Sequence, residues 1–230
     1  MNQLTSKGIV LTRTDYGEAD RIITLLTPEA GKLRLMARGV RKQKSKLAGG
    51  IELFSVSDVT YIHGRGAIQT LISARLLTHF GNIVSSIERV QLGYELLKML
   101  NKATEDQPEP EYFDLLQAGL HALDQTLIGT KLIQTWFEAQ LLRLSGHSPN
   151  LHTDVVGNKL VADAKYSFDF ESMSFASLPD GLYSAAHIKT LRLLFSHHQP
   201  EVLHQVQGIE ATLQTIAPMV SAMRTTYIRT

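Results

Sequence analysis

Residues 21–46 read RIITLLTPEAGKLRLMARGVRKQKSK, and this stretch decides the fold expected for the first third of the chain. Arg21–Leu26 is rich in β-branched residues, which strands favour. Thr27–Gly31 follows with a proline and a glycine at the positions that a tight turn requires. Lys32–Ala37 then alternates with period two. The stretch therefore predicts two strands, joined by a turn and followed by a loop.

The alternation in the second strand separates apolar from basic side chains. Leu33, Leu35 and Ala37 point to one face, as expected of a half-buried strand. Lys32, Arg34 and Arg38 point to the other face, where Met36 interrupts the polar pattern. This phase predicts a row of cations on the exposed side of the sheet.

The row continues into a strongly basic loop that contains no acidic residue. The seven candidate cations are Lys32, Arg34, Arg38, Arg41, Lys42, Lys44 and Lys46. A run of like charges repels itself unless an anionic partner is bound, and nucleic acid is the commonest polymeric partner. A solvated hairpin loop would explain this stretch equally well when it is taken alone.

Three more short strands surround this pair, at Gly8–Arg13, Leu53–Ile62 and Ala67–Ala74. Five strands with closely spaced turns favour a small closed barrel over an open sheet. A five-stranded OB-fold barrel is the leading interpretation, and an SH3-like barrel explains the pattern nearly as well. Arg65, at the tip of the turn before the last strand, is a further candidate cation for nucleic acid.

Charge and composition divide the chain. Residues 1–80 contain 12 Lys and Arg against 6 Asp and Glu, whereas the remainder contains 11 against 16. The first part is therefore an anion-binding candidate. The absence of cysteine excludes disulfides and thiolate zinc sites, and no export signal or long apolar run is visible. These features predict a cytoplasmic protein.

The remaining chain has the period of amphipathic helices. Helices are expected at about 84–102, 112–123 and 130–145, as a small bundle, and again around 188–195. A last apolar stripe runs from Val202 to Ile216 and is expected to stop before Pro218. The fold class is thus α+β: a barrel domain at 1–80, a helical domain at 81–230, and a small irregular β insertion at about 150–182.

At residues 8–54 the sequence resembles the RecO family of bacterial recombination mediators. The resemblance rests on GIVL (8–11), DYGEADR (15–21), TPEAGKLR (27–34), ARGVRK (37–42) and KLAGGIELF (46–54). It implies an OB fold that binds DNA through Arg34, Arg38, Arg41, Lys42 and Lys44. A shorter similarity covers FEAQLLRLSGHSPNL (137–151).

The resemblance also implies partners and a function in DNA repair by the RecF-type pathway. It implies binding of single- and double-stranded DNA, annealing of complementary strands coated by single-strand-binding protein, and cooperation with RecR in loading RecA. It places the protein at the nucleoid and implies no membrane. Few aromatic residues fall on the basic face, which favours contact with the DNA backbone over base stacking.

In the helical part the resemblance implies a pocket for the acidic tail of single-strand-binding protein. The candidates are Lys131 and Arg143 as a cationic rim and Trp136, although the apolar face on which Trp136 lies favours a core position. Many RecO proteins carry a four-cysteine zinc ribbon near residues 150–182. This chain lacks those cysteines, so we expect neither a metal nor another cofactor.

Two function classes other than a mediator are an enzyme and an RNA-binding adaptor. An enzyme would need a phosphate-binding loop, a two-metal carboxylate cluster or an activated nucleophile, and the sequence shows none of these motifs. An RNA-binding OB-fold adaptor without enzymatic activity fits the basic strand equally well. Only the family resemblance separates the RNA adaptor from the DNA mediator.

Overall fold

A computed structural model describes residues 3–64, 66–105 and 107–228. These residues form two compact units, Met1–Gln125 and Thr126–Thr230. The predicted boundary at residue 80, between a barrel domain and a helical domain, lies within the first of these units and stays a prediction. No helix within the described ranges is both long and apolar enough to cross a bilayer.

Five strands form the core of the first unit, and each overlaps a predicted strand. They are β1 (Gln3–Tyr16), β2 (Asp20–Thr27), β3 (Gly31–Ala37), β4 (Ser55–Ile62) and β5 (Gln69–His79). Alternate residues of these strands point into one core, which includes Ile23, Leu35 and Val59, all fully buried. The period-two interpretation of the sequence is therefore confirmed.

The strand order shows how the sheet closes. The order β1-β2-β3-β5-β4 forms a closed barrel in which β4 pairs back onto β1. All neighbouring strands are antiparallel except β3 and β5, which run parallel through Leu35↔Gln69 and Met36↔Thr70. After β3 the chain crosses the barrel to form β4, and β5 then returns to pair with β3. A five-stranded barrel with this connectivity is the OB fold. The SH3-like alternative is excluded.

Two helices belong to the same unit as the barrel. They are α1 (Ile87–Ala103) and α2 (Pro110–Asp124), which pack on each other. The guanidinium of Arg89 is buried and donates to the carbonyl of Leu123 at 2.6 Å, which ties the start of α1 to the end of α2. Gly31 in the β2–β3 turn packs directly against the backbone of Gln107, where a Cβ would lie 2.2 Å from the carbonyl oxygen.

The second unit is helical and contains a small β hairpin. Its helices are α3 (Thr130–Leu144), α4 (Ala185–Leu194), the single turn α5 (Pro200–Leu203) and α6 (Ile209–Tyr227). Helix α3 packs mainly along α6 and also contacts α4 and α5. The expectation that the first three helices form one bundle is therefore wrong, because α3 belongs to the core of the second unit.

The last apolar stripe also differs from the expectation. Gly208, with a φ of 80°, divides the stripe into two helices and precedes the first residue of α6. Helix α6 then continues through Pro218 to Tyr227. A proline inside a helix removes one hydrogen bond and costs about 3 kcal/mol. Burial of Met219, Val220 and Met223 on the far side of the proline offsets that cost.

The insertion near 150–182 folds around aromatic side chains. Strands β6 (Tyr166–Asp169) and β7 (Ser174–Ser177) pair antiparallel, with Phe168 opposite Phe175. Phe175 is fully buried, and its ring contacts those of Tyr166, Phe168 and Tyr183 at centroid distances of 5.1–6.2 Å. Asp154 holds the neighbouring turn, because its Oδ1 accepts from the backbone N–H of Val156 and Asn158.

Candidate nucleic-acid interface

The outer face of β1, β2 and β3 carries the residues that alternate with the core. The register places Thr12, Thr24 and Arg34 in one row across the three strands, and Thr14, Ile22 and Met36 in the next row. Arg34 is exposed, while its strand neighbours Leu35 and Ala37 are buried. In OB folds the face of strands 2 and 3 is the usual binding surface for oligonucleotides.

This face is covered at one end and open at the other. At the covered end, Ile9 and Leu26 have the outward phase but are almost fully buried. Lys32 lies in the same row as Leu26, and its Nζ donates to the carbonyl oxygen of Asn101 near the end of α1 at 3.0 Å. Lys32 is therefore engaged by the helix, whereas Arg34 stands on the open part.

The basic loop starts at the open end of the face and is attached to the β1–β2 turn. The N–H of Gly39 donates to Oδ1 of Asp20 at 2.7 Å, and the N–H of Arg41 donates to the carbonyl of Ala19 at 2.9 Å. Val40 between them is buried in the barrel core. The backbone of the loop is thus fixed at residues 39–41, at the open end of the outer face.

One carboxylate in the β1–β2 hairpin engages two arginines. Asp15 accepts from Nε of Arg21 at 2.7 Å and lies 3.5 Å from Nε of Arg41. The hydrogen bond from Arg21, with the positive charge of Arg41, lowers the pKa of the Asp15 carboxyl from its ordinary value. Arg41 is therefore already partly neutralised, unlike its neighbours in the loop.

Five of the predicted cations are exposed, and their side chains make no ion pair or hydrogen bond with another residue of the described ranges. They are Arg34, Arg38, Lys42, Lys44 and Lys46. Cations without protein partners keep their full charge available for an anion. The structure thus separates the seven predicted cations into five free side chains, one ion-paired arginine and one lysine bound to α1.

The eighth candidate, Arg65, lies outside the described residues. Gln69 hydrogen-bonds two described residues, since its Oε1 accepts from the N–H of Gly64 and its Nε2 donates to the carbonyl of Gly66. Because Gln69 pairs with Leu35, β5 begins beside the middle of β3. A phosphate contact by Arg65 stays a prediction.

The three residues suggested for binding an acidic tail are not brought together. Trp136 is 2% exposed, and its Nε1 donates to the carbonyl of His198, so the ring is part of the core. Lys131 Nζ donates to Gln214, and Arg143 Nε donates to Gln140. Twelve residues of α3 separate these two cations, which is about 18 Å along the helix axis.

The sequence interpretation missed the engagement of Lys32 and Arg41. Asp15 and Arg21 flank one short turn, so their ion pair was visible in the local sequence, and the same carboxylate also engages Arg41. No local signal pointed to the bond between Lys32 and Asn101, which are 69 residues apart.

Two protein-family models match this chain and together cover most of it. A family model described as recombination protein O N terminal matches residues 1–80, and one described as recombination protein O C terminal matches residues 85–228. The chain belongs to the RecO family. The family resemblance seen in residues 8–54 is confirmed over nearly the whole chain.

Curated RecO relatives are similar over much of this length. DNA repair protein RecO of Dehalococcoides mccartyi strain 195 is 36% identical over 163 residues, which is 70% of this chain and 64% of the relative. The protein of the same name from Rubrobacter xylanophilus is 33% identical over 64% of this chain and 58% of its own length. That from Acetivibrio thermocellus is 30% identical over 76% and 69%. The match thus spans less than two thirds of the first two RecO proteins.

Proposed function

We propose that this RecO chain is a DNA-binding recombination mediator in DNA repair that acts without catalytic chemistry. The observation that carries the proposal is a set of five exposed cations on an OB-fold barrel, whose side chains have no partner among the described residues: Arg34 lies on the outer face of β3, and the other four lie in the segment that follows β3. Family membership and relatives named DNA repair protein support DNA over RNA as the polymer that neutralises these charges.

The proposed mechanism is electrostatic. Fixed cations replace the counterions of a single strand, so binding gains the free energy of counterion release. Contacts to phosphate position the strand without reading its sequence, which leaves the pairing edges of the bases available to a second strand. Such binding favours annealing of complementary strands, including strands coated by single-strand-binding protein. Annealing by this mechanism requires no covalent bond to be broken.

The proposed partners follow from family membership and extend beyond the barrel. We include RecR, the tail of single-strand-binding protein and, indirectly, RecA, with action in the cytoplasm at the nucleoid. The position of the tail site is left open, because Lys131, Trp136 and Arg143 do not form a shared pocket.

A strand-annealing assay tests the proposal. Two complementary 40-nucleotide DNA strands, one with a fluorophore and one with a quencher, are mixed with the full chain, with and without prior coating by single-strand-binding protein. The expected result is faster annealing in both cases. The matched RNA pair is expected to anneal more slowly.

Three results would contradict the proposal. If DNA coated by single-strand-binding protein annealed at the spontaneous rate in the presence of this chain, the chain would not be a mediator. A clear preference for the RNA strands would favour the adaptor. Strand cleavage that depends on added Mg²⁺ would indicate an enzyme.

A further inference from the structure

The outer face of the barrel carries an apolar row between its cations, and phosphate binding does not explain that row. Met36 interrupts the basic pattern of β3, and the register places it beside Ile22 of β2. Both side chains are only half-buried, although Ile9 and Leu26 at the covered end of the same face are almost fully buried. The two apolar side chains thus stay accessible at the open end.

Tyr16 continues the same face beyond this row. Side chains of a strand alternate, so Thr12, Thr14 and Tyr16 of β1 share one face. Tyr16 is 55% exposed, and its ring contacts no other aromatic ring among the described residues. Its register partner Asp20 receives the hydrogen bond from Gly39, so the ring lies at the end where the basic loop begins.

The rows follow one another in an order that suits a nucleic-acid strand. The row of Arg34 comes first, the row of Ile22 and Met36 comes next, and the row of Tyr16 comes last. Successive rows on one face are about 7 Å apart, which is two residues of strand rise. Exposed cations therefore lie on both sides of the apolar row, with Arg34 on β3 on one side and Arg38, which directly follows β3, on the other.

We propose that Tyr16 is a stacking platform for an unpaired base and that Ile22 and Met36 form the apolar floor beside it. This inference rests on the proposed function, and it assigns to the same surface a contact with bases in addition to phosphates. Aromatic rings stack on any base, because every base has a π face. Stacking occupies the faces of a base and leaves its pairing edges free, as annealing requires.

The charges around the row favour this occupant over an apolar protein segment. Arg34, Arg38 and Lys42 are exposed without partners in the described ranges, and burying them under an apolar partner would cost their hydration. A single strand instead brings phosphates to the cations and bases to the apolar row. The duplex hides the faces of its bases within the stack, so the platform selects single strands.

The test uses two labelled oligonucleotides of equal length and charge, twenty thymidines and twenty abasic sites. Tyr16→Ala is expected to weaken thymidine binding about tenfold, the range that loss of one base stack gives. Tyr16→Phe is expected to retain wild-type binding, since stacking needs the ring and not the hydroxyl. The salt dependence of Tyr16→Ala is expected to match that of wild type, because no charge is removed. Abasic binding is expected to be the same for wild type and Tyr16→Ala.

Tyr94→Ala is the matched control, because Tyr94 is 52% exposed but lies on α1, against Phe54. It is expected to bind thymidine as wild type does. Tyr16→Ala would overturn the inference by binding thymidine like wild type, or by losing both oligonucleotides equally. If wild type bound neither oligonucleotide, the proposed function itself would be wrong, which separates the two failures.

Discussion

The salt dependence of single-strand binding tests the five free cations directly. The perturbation is the quadruple variant Arg38, Lys42, Lys44 and Lys46→Ala, which removes the loop cations that have no partner in the described part of the chain. Arg41 is kept, because Asp15 already partly neutralises it. The four side chains are exposed, so their truncation is expected to leave the barrel folded.

The magnitude follows from counterion release. Each phosphate neutralised on a single strand contributes about −0.7 to the slope of log affinity against log salt. Five free cations give a slope of about −3.5, so affinity falls about 130-fold between 50 and 200 mM salt. Loss of four contacts leaves a slope of about −0.7 and a fall of only about threefold over the same range.

The assay is fluorescence anisotropy of a labelled single strand across a salt series. The control variant Lys7, Lys98, Lys102 and Lys159→Ala removes the same charge from exposed positions outside the basic surface. We expect that control to keep the wild-type slope. A loop variant whose slope equals wild type would refute the assignment. Equal flattening in both variants would show that net charge, and not this surface, governs binding.

Three further predictions concern other parts of the chain. Asp15→Asn is expected to free Arg41 for phosphate and to steepen the salt slope by up to about 0.7, and an unchanged slope in the anisotropy series would contradict this. Burial raises the pKa of the Glu138 carboxyl in the folded protein, although Arg224 opposes this effect. The protonated carboxyl therefore contributes to the free energy of unfolding below its ordinary pKa, and this contribution is lost as the pH rises through the folded-state pKa. Urea unfolding from pH 4.5 to 8 is expected to show this loss in wild type relative to Glu138→Gln, and parallel curves would exclude it. Phe175→Ala is expected to lower the free energy of unfolding in urea by about 3–5 kcal/mol, because the ring is fully buried in the insertion. EDTA is expected to leave the melting temperature of the wild type unchanged, and a drop in that temperature would reveal a bound metal.

Local chemistry determined much of what the sequence predicted correctly. The period of two in β2 and β3, with the turn at Thr27–Gly31 between them, depends on neighbours in the chain. The β structure of the insertion at about 150–182 was predicted from the sequence for the same reason. The five strands and the presence of β structure in the insertion were therefore predictable from the sequence alone.

Long-range packing decided the rest. A helix that should end before Pro218 continues to Tyr227, because burial on both sides of the proline outweighs one missing hydrogen bond. The position of β5 between β3 and β4, which makes the barrel an OB fold, depends on pairing between residues more than thirty positions apart.

The same distinction applies to the site. The sequence by itself determined which residues are basic and which face of β3 they share, since alternation is a property of the strand. Only the tertiary structure decided which cations are free, because Asn101 of α1 engages Lys32 and Asp15 of β1 engages Arg41. A charge is available to a ligand only if the fold brings no competing partner to it, and that depends on residues far away in the chain.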